Sequence, residues 1–168
     1  SAGAYMAVQT HMAFSDRIGG VGVVAGGPYH CAAGSVVNAL GRCMSGDGLD
    51  AASLVSYARG ISASGEIAVI DELRSARVWI FQSPKDVVVG QKVAAALGDF
   101  YREFTPSENI RFIDNIDAAH GWPTLDIGND CLEIGGDFIN ACGFDAGGAL
   151  LNHLYDQLGP RDAGLSGE

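Results

Sequence analysis

Three side chains able to act together in acyl transfer occur in one order along the chain: Ser1, Asp86 and His120. Ser1 opens the stretch Ser1-Ala2-Gly3-Ala4, which matches the second half of a G-x-S-x-G pattern. In that pattern a sharp strand-to-helix turn lifts the serine oxygen above a sheet edge, and only small residues fit around the turn. The amide of the following residue, Ala2, is then expected to face the oxyanion. His120 has the chemistry to take the serine proton and pass it to a leaving alcohol. Asp86 has the chemistry to fix the imidazole tautomer and stabilise the imidazolium.

Such residues work only if the fold brings them to one place. Ala2 to Phe14 is rich in good helix formers and is broken by Ser15-Asp16. Gly19 to Ala25 (GGVGVVA) reads as a short strand buried on both faces. Asp50 to Arg59 reads as a helix approached through Leu49. Arg77 to Gln82 (RVWIFQ) is the clearest strand, dense in β-branched and aromatic residues. Gln91 to Phe104 follows as an amphipathic helix with Val93, Leu97, Phe100, Tyr101 and Phe104 on one side. Asn109 to Ile113 reads as a strand and Ala146 to Leu158 as a closing helix, with Arg161 to Glu168 expected to fray. This alternation predicts an α/β fold with a parallel sheet flanked by helices. Asp86 and His120 then follow the C-terminal ends of two strands, where open α/β sheets bind ligands. The order serine, aspartate, histidine is the α/β-hydrolase order.

Composition narrows the function classes. The 168 residues are 48% hydrophobic and 18% charged, enough for a packed core of about one domain. A formal charge of -10 argues against nucleic acid and anionic membrane as partners. The apolar runs fall well short of the ~18 residues that a spanning helix needs. No cofactor motif is present, and none is expected. The four cysteines form two close pairs, Cys31 with Cys43 and Cys131 with Cys142. Four cysteines allow three pairings; the short, turn-rich loops favour the two local ones, each contributing roughly 3 kcal/mol. Neither pair has zinc-knuckle spacing, so no metal site is expected. Disulfides point to a secreted or periplasmic protein.

Other residues compete for the same roles. Asp86 also suits a cap in the Pro84 to Gly90 turn. Asp114 and Asp117 are rival acids, but both lie on the His120 loop itself. His11 and His153 fall inside helices and read as structural, and His30 is a weaker candidate beside Cys31. Trp122, Tyr29 and Phe144 are candidates to contact substrate, with a place in the core as the alternative for each.

The segments SAGAYMAVQ, VAGGPYHCA, RVWIFQSPKDVVV, DAAHGWPT and CGFDAGGALLNHLY resemble the catalytic domain of secreted poly(3-hydroxybutyrate) depolymerases. The likeness is to their single-domain, fungal-type branch and its bacterial relatives, and it runs along nearly the whole chain. It implies a circularly permuted α/β-hydrolase fold, a triad of Ser1, Asp86 and His120, and cysteine pairs at 31–43 and 131–142. It also implies that residues 1–168 are a partial catalytic domain, incomplete at both ends, with the second oxyanion donor outside them. The expected activity is extracellular serine-esterase hydrolysis of a polyester or oligoester by a monomer. Three alternatives remain: a feruloyl- or acetyl-xylan-type carboxylesterase, an N-terminal-nucleophile hydrolase using Ser1, and an inactive domain that only binds polymer.

Overall fold

The computed structural model describes residues 1–155, 158 and 159. Three strands, β1 (Gly20–Val24), β2 (Arg77–Phe81) and β3 (Ile110–Ile113), form a parallel sheet in the order β1-β2-β3. Val21 pairs with Val78 and Val78 with Ile110, so alternate side chains line up across the sheet. β2 is central, and Val78 to Phe81 are all buried. A strand covered on both faces has no polar side, which is why its sequence is an unbroken apolar run.

Two layers of helix enclose the sheet. Val21, Val23, Val78 and Ile80 pack on one face with α1 (Ala2–Ala13), α4 (Ala51–Ala63) and α5 (Gln91–Arg102), through Val8, Met12, Leu54, Val55, Leu97 and Phe100. Trp79 and Phe81 point to the other face, against α6 (Ala146–Leu154) and Phe144. Gly22 allows that close approach, because a Cβ there would lie 2.2 Å from Leu150 Cδ1. Two short helices, α2 (Val36–Leu40) and α3 (Arg42–Ser45), follow β1. Beyond β3 a small second sheet forms from β4 (Trp122–Thr124), β5 (Asn129–Asp130) and β6 (Ile139–Ala141), in the order β4-β6-β5. Both local disulfides are present, Cys31–Cys43 with Cα atoms 5.8 Å apart and Cys131–Cys142 with 4.7 Å. Among the described residues no helix is long and apolar enough to cross a membrane.

The differences from the sequence reading have local causes. α4 starts at Ala51, with Asp50 as its cap accepting from the Ala52 and Ser53 amides, and runs past Arg59 to Ala63. The stop is Gly65, at φ +77°, rather than Gly60, which is tolerated inside the helix. α5 ends at Arg102, two residues before Phe104. Phe104 is still buried, edge-on to Phe100 at 5.2 Å and under the Arg59 guanidinium. α6 ends at Leu154, because Tyr155 turns to extended backbone. Part of the expected extension to Leu158 lies outside the described residues, as does all of Arg161 to Glu168. The second sheet and the helices α2 and α3 have no counterpart in the sequence reading. Strands of two or three residues leave no measurable periodicity.

His11 is buried in α1 with Nδ1 2.9 Å from the Tyr101 hydroxyl. Burial lowers its pKa from 6.5 to about 4, partly opposed by the Ile18 backbone. Burial also pushes the Tyr101 hydroxyl up, so it stays protonated beside Nδ1. The unfolded chain therefore binds a proton that the folded chain refuses. This contribution to stability is full above pH 6.5 and is lost as the pH falls toward 4. The loss is on the order of 3 kcal/mol, at about 1.4 kcal/mol per pH unit. Thermal melts between pH 7.5 and 4.5 should show it, and a His11→Asn variant should have a shallower dependence. An unchanged pH dependence in that variant would rule out His11 as the source.

Candidate active site

Ser1 occupies the N-cap of α1, and its carbonyl accepts the first helical bond, from the Tyr5 amide at 3.0 Å. The amides of Ala2, Gly3 and Ala4 precede that bond and have no acceptor within the helix. The partial positive end of α1 is thus directed at the space beside Ser1. Gly26, just beyond β1, lets the helix come this close, since a Cβ there would sit 2.7 Å from Ala4 Cβ. A cavity of about 790 Å³ lies at this point. Its wall is formed by Ser1 to Ala4, Gly22, Val24, Ala25, Val88, His120, Gly121, Trp122, Ile134 and Phe138. His120 is the one titratable side chain among them.

Asp86 stands on the loop that leaves β2. One carboxylate oxygen, Oδ1, accepts from the Val88 amide at 2.8 Å and the Val89 amide at 3.0 Å. The other, Oδ2, is 2.8 Å from His120 Nδ1. Asp86 is therefore both the turn cap and the partner of the histidine, one oxygen for each. Both side chains are withdrawn from water, with 3% of Asp86 and 10% of His120 exposed. Burial alone would raise the carboxyl pKa. The bonds from His120, Val89 and Val88, with the attraction of the imidazole, outweigh it and hold the carboxyl below its usual 3.8. A carboxylate that accepts from Nδ1 places the ring proton there and leaves Nε2 as the basic nitrogen.

The histidine loop is held at its backbone. The Ala118 amide donates to Ser83 Oγ at 2.8 Å, and the Ala119 amide to the Cys131 carbonyl at 2.8 Å. Next along the chain, the Trp122 amide donates to the Phe138 carbonyl at 2.7 Å.

The structure gathers Ser1, Ala2, His120 and Trp122 around the cavity, with Asp86 behind the histidine. Tyr29 is elsewhere: it packs against the main core, its ring 6.4 Å from that of Tyr57. Phe144 stacks on Phe81 at 5.9 Å, in the layer beneath α6. Asp114 and Asp117 are exposed and do not hold His120. The remaining histidines have partners of their own: His11 with Tyr101, His30 stacked on Tyr57 at 3.8 Å, and His153 Nε2 3.0 Å from the Asn109 carbonyl. Among the described residues no three His, Cys, Asp or Glu side chains gather as a metal site. Val88, Ile134 and Phe138 in the wall were not singled out by sequence, for they are ordinary loop apolar residues with no pattern.

No family model matches the chain. Among curated relatives, a poly(3-hydroxybutyrate) depolymerase of Delftia acidovorans is 42% identical over 164 residues, covering 96% of this chain and 33% of that protein. A polyhydroxybutyrate depolymerase of Talaromyces funiculosus is 31% identical over 172 residues, covering 99% and 50%. The chain is similar to polyhydroxybutyrate depolymerases over nearly all of its length. It spans between a third and a half of the length of these curated relatives. Two solved structures agree: the PHB depolymerase of Penicillium funiculosum, and a serine-to-alanine variant of a PHB depolymerase complexed with an R3HB trimer. Each aligns with a TM-score of 0.89 and 29% identity, over 98% of this chain and 52% of the other. The parallel sheet flanked by helices is of α/β-hydrolase type, as in those structures.

The bonding of Asp86 sets an expected stability effect. Asp86→Ala removes the acceptor of the Val88 and Val89 amides and should destabilise the fold by about 2 kcal/mol in urea titrations. Asp86→Asn keeps Oδ1 and should cost less. Because the folded carboxyl titrates low, its contribution is full above pH 3.8 and disappears as the pH falls below that value. Equal stability of Asp86→Ala and wild type at pH 7 would show that these bonds do not stabilise the loop.

Proposed function

We propose that this chain carries the reacting residues of a serine esterase that cleaves poly(3-hydroxybutyrate) and its oligomers. The observation that carries the reading is the buried Asp86–His120 hydrogen bond, whose histidine shares one cavity wall with Ser1 and the amide end of α1. In this reading Ser1 Oγ attacks the ester carbonyl carbon while His120 Nε2 takes the hydroxyl proton. The negative charge that develops on the carbonyl oxygen is met by the Ala2 amide. Collapse breaks the bond to the alkoxy oxygen, which leaves as a hydroxyl after receiving the proton from His120. A water then attacks the acyl-enzyme with His120 as base, releasing the carboxylic acid and restoring Ser1. Asp86 stays ionised throughout and stabilises the imidazolium.

The wall supports a neutral ester as substrate. Glycine, alanine, valine, isoleucine, phenylalanine and tryptophan residues dominate it, and among the described residues no Lys or Arg side chain lines it. Trp122, 38% exposed at the cavity, is placed to pack against an alkyl ester chain. The two disulfides favour an oxidising compartment, so we assign the enzyme to secretion.

Hydrolysis of the (R)-3-hydroxybutyrate trimer and of p-nitrophenyl butyrate, compared with ethyl ferulate and acetylated xylan, tests the assignment. Release of 3-hydroxybutyrate is expected to dominate. Ser1→Ala and His120→Gln should abolish turnover, and Asp86→Asn should lower kcat by about 10⁴-fold because it favours the wrong tautomer. Faster release of ferulate or acetate would move the substrate to a feruloyl- or acetyl-xylan type of ester. Unchanged turnover in both Ser1→Ala and His120→Gln would remove the esterase reading.

A further inference from the structure

Between the end of the sheet and the Asp86–His120 pair, the two loops are joined by a series of hydrogen bonds. At the base the Gln82 amide donates to the Ile113 carbonyl at 2.9 Å, continuing the pairing of β2 with β3. At the top is the Asp86–His120 bond. Midway, Ser83 Oγ, only 2% exposed, accepts the Ala118 amide from the histidine loop and the Lys85 amide from its own at 3.0 Å. The carboxylate loop is otherwise closed on itself. The Gln82 side chain donates to the Val89 and Ser83 carbonyls at 2.8 and 3.3 Å, and the Asp86 amide donates to the Ser83 carbonyl. The carboxylate loop is thus tied internally, and among the described residues Ser83 and Asp86 are the side chains of this loop that hydrogen-bond across to the histidine loop.

We propose that Ser83 is a positioning residue, whose buried hydroxyl sets the separation of the carboxylate loop from the imidazole loop and so the aim of His120. This rests on the esterase reading above. The bond to Ala118 is two residues from His120. Its loss leaves the loop's backbone held from the second-sheet side, at Ala119 by the Cys131 carbonyl and at Trp122 by the Phe138 carbonyl. Among the described residues the Asp86–His120 bond is then the remaining side-chain tie between the two loops. The histidine loop then lacks its backbone tie to the carboxylate loop, and the imidazole can shift relative to the carboxylate. A catalytic base displaced by even 1 Å costs on the order of 100-fold in rate, although nothing that binds substrate has changed. Ser83 itself is absent from the cavity wall, so its removal should leave the substrate's apolar contacts intact.

The test compares Ser83→Ala, Ser83→Thr and Asp86→Asn on p-nitrophenyl butyrate, with a melting temperature for each. Ser83→Ala is expected to lower kcat by on the order of 100-fold while KM stays within about twofold. Ser83→Thr keeps the accepting oxygen and should recover most of kcat. If Ser83→Ala does not fold, Ser83→Cys, which keeps the volume but accepts weakly, takes its place with the same expectation. Wild-type kcat in Ser83→Ala, beside an inactive Asp86→Asn, would overturn the positioning role and leave the triad standing. A fall in melting temperature with unchanged kcat would show a purely structural hydroxyl and also overturn it. Full activity in Asp86→Asn and in a His120→Gln reference would remove the triad reading, and this inference with it.

Discussion

A carboxylate and an imidazole 34 residues apart in sequence share a 2.8 Å hydrogen bond, and the rest of the site is arranged around that contact. The contact depends on β2 and β3 being adjacent and parallel, so that both chains leave the sheet at the same edge. Parallel neighbours need a covering connection, which α5 supplies. Burying the pair carries a desolvation cost that a single hydrogen bond does not offset. The Val88 and Val89 amides make up the difference by binding the oxygen that the histidine does not use. Three groups therefore keep one carboxylate ionised out of water, and two of them belong to the carboxylate's own short loop.

The serine side of the cavity is organised by a different device. α1 contributes the positive end of a helix rather than a charged side chain, and this works only if the helix end approaches the sheet closely. Ala4 against Gly26 gives that approach. One turn into the helix, Tyr5 donates its hydroxyl to the Cys43 carbonyl, tying α1 to the segment stapled by Cys31–Cys43. Burial, with the charge of Asp86 adding to it, pushes the Tyr5 hydroxyl up to about 12, so it remains a donor at any ordinary pH. The first disulfide thus braces the serine helix. The second braces the histidine loop through the Cys131 carbonyl and the Ala119 amide. Each staple closes a turn-rich segment with little core of its own and fixes one backbone group that the site relies on.

How much of this could be read from sequence follows from where the information resides. β1 and β2 were legible as short apolar runs, as a strand covered on both faces must be, and VWIF is one. β3 was legible from its isoleucines and phenylalanine, although Arg111 within it is exposed. α1 and α5 were legible through composition and spacing. Asp86 and His120 were legible by position, as polar residues just past strand ends. Their partnership over Asp114 and Asp117 follows from strand adjacency, which a topology argument supplies. Tyr29 carried no such positional signal, and the structure sets it against the core and Tyr57, away from the cavity wall.

Ser83, Gln82 and the second sheet were not legible, for a common reason. Their partners are backbone amides and carbonyls, which every residue offers, so sequence carries no mark of which amide a serine hydroxyl will meet. Ser83 in Gln82-Ser83-Pro84 reads as an ordinary turn residue. What distinguishes it is burial beside Ala118, a consequence of two loops rising together from adjacent strands. The reacting groups of such a site can be found from strand ends and residue types. The groups that aim them are defined by tertiary geometry, because a hydroxyl becomes a structural acceptor only after water has been excluded from around it.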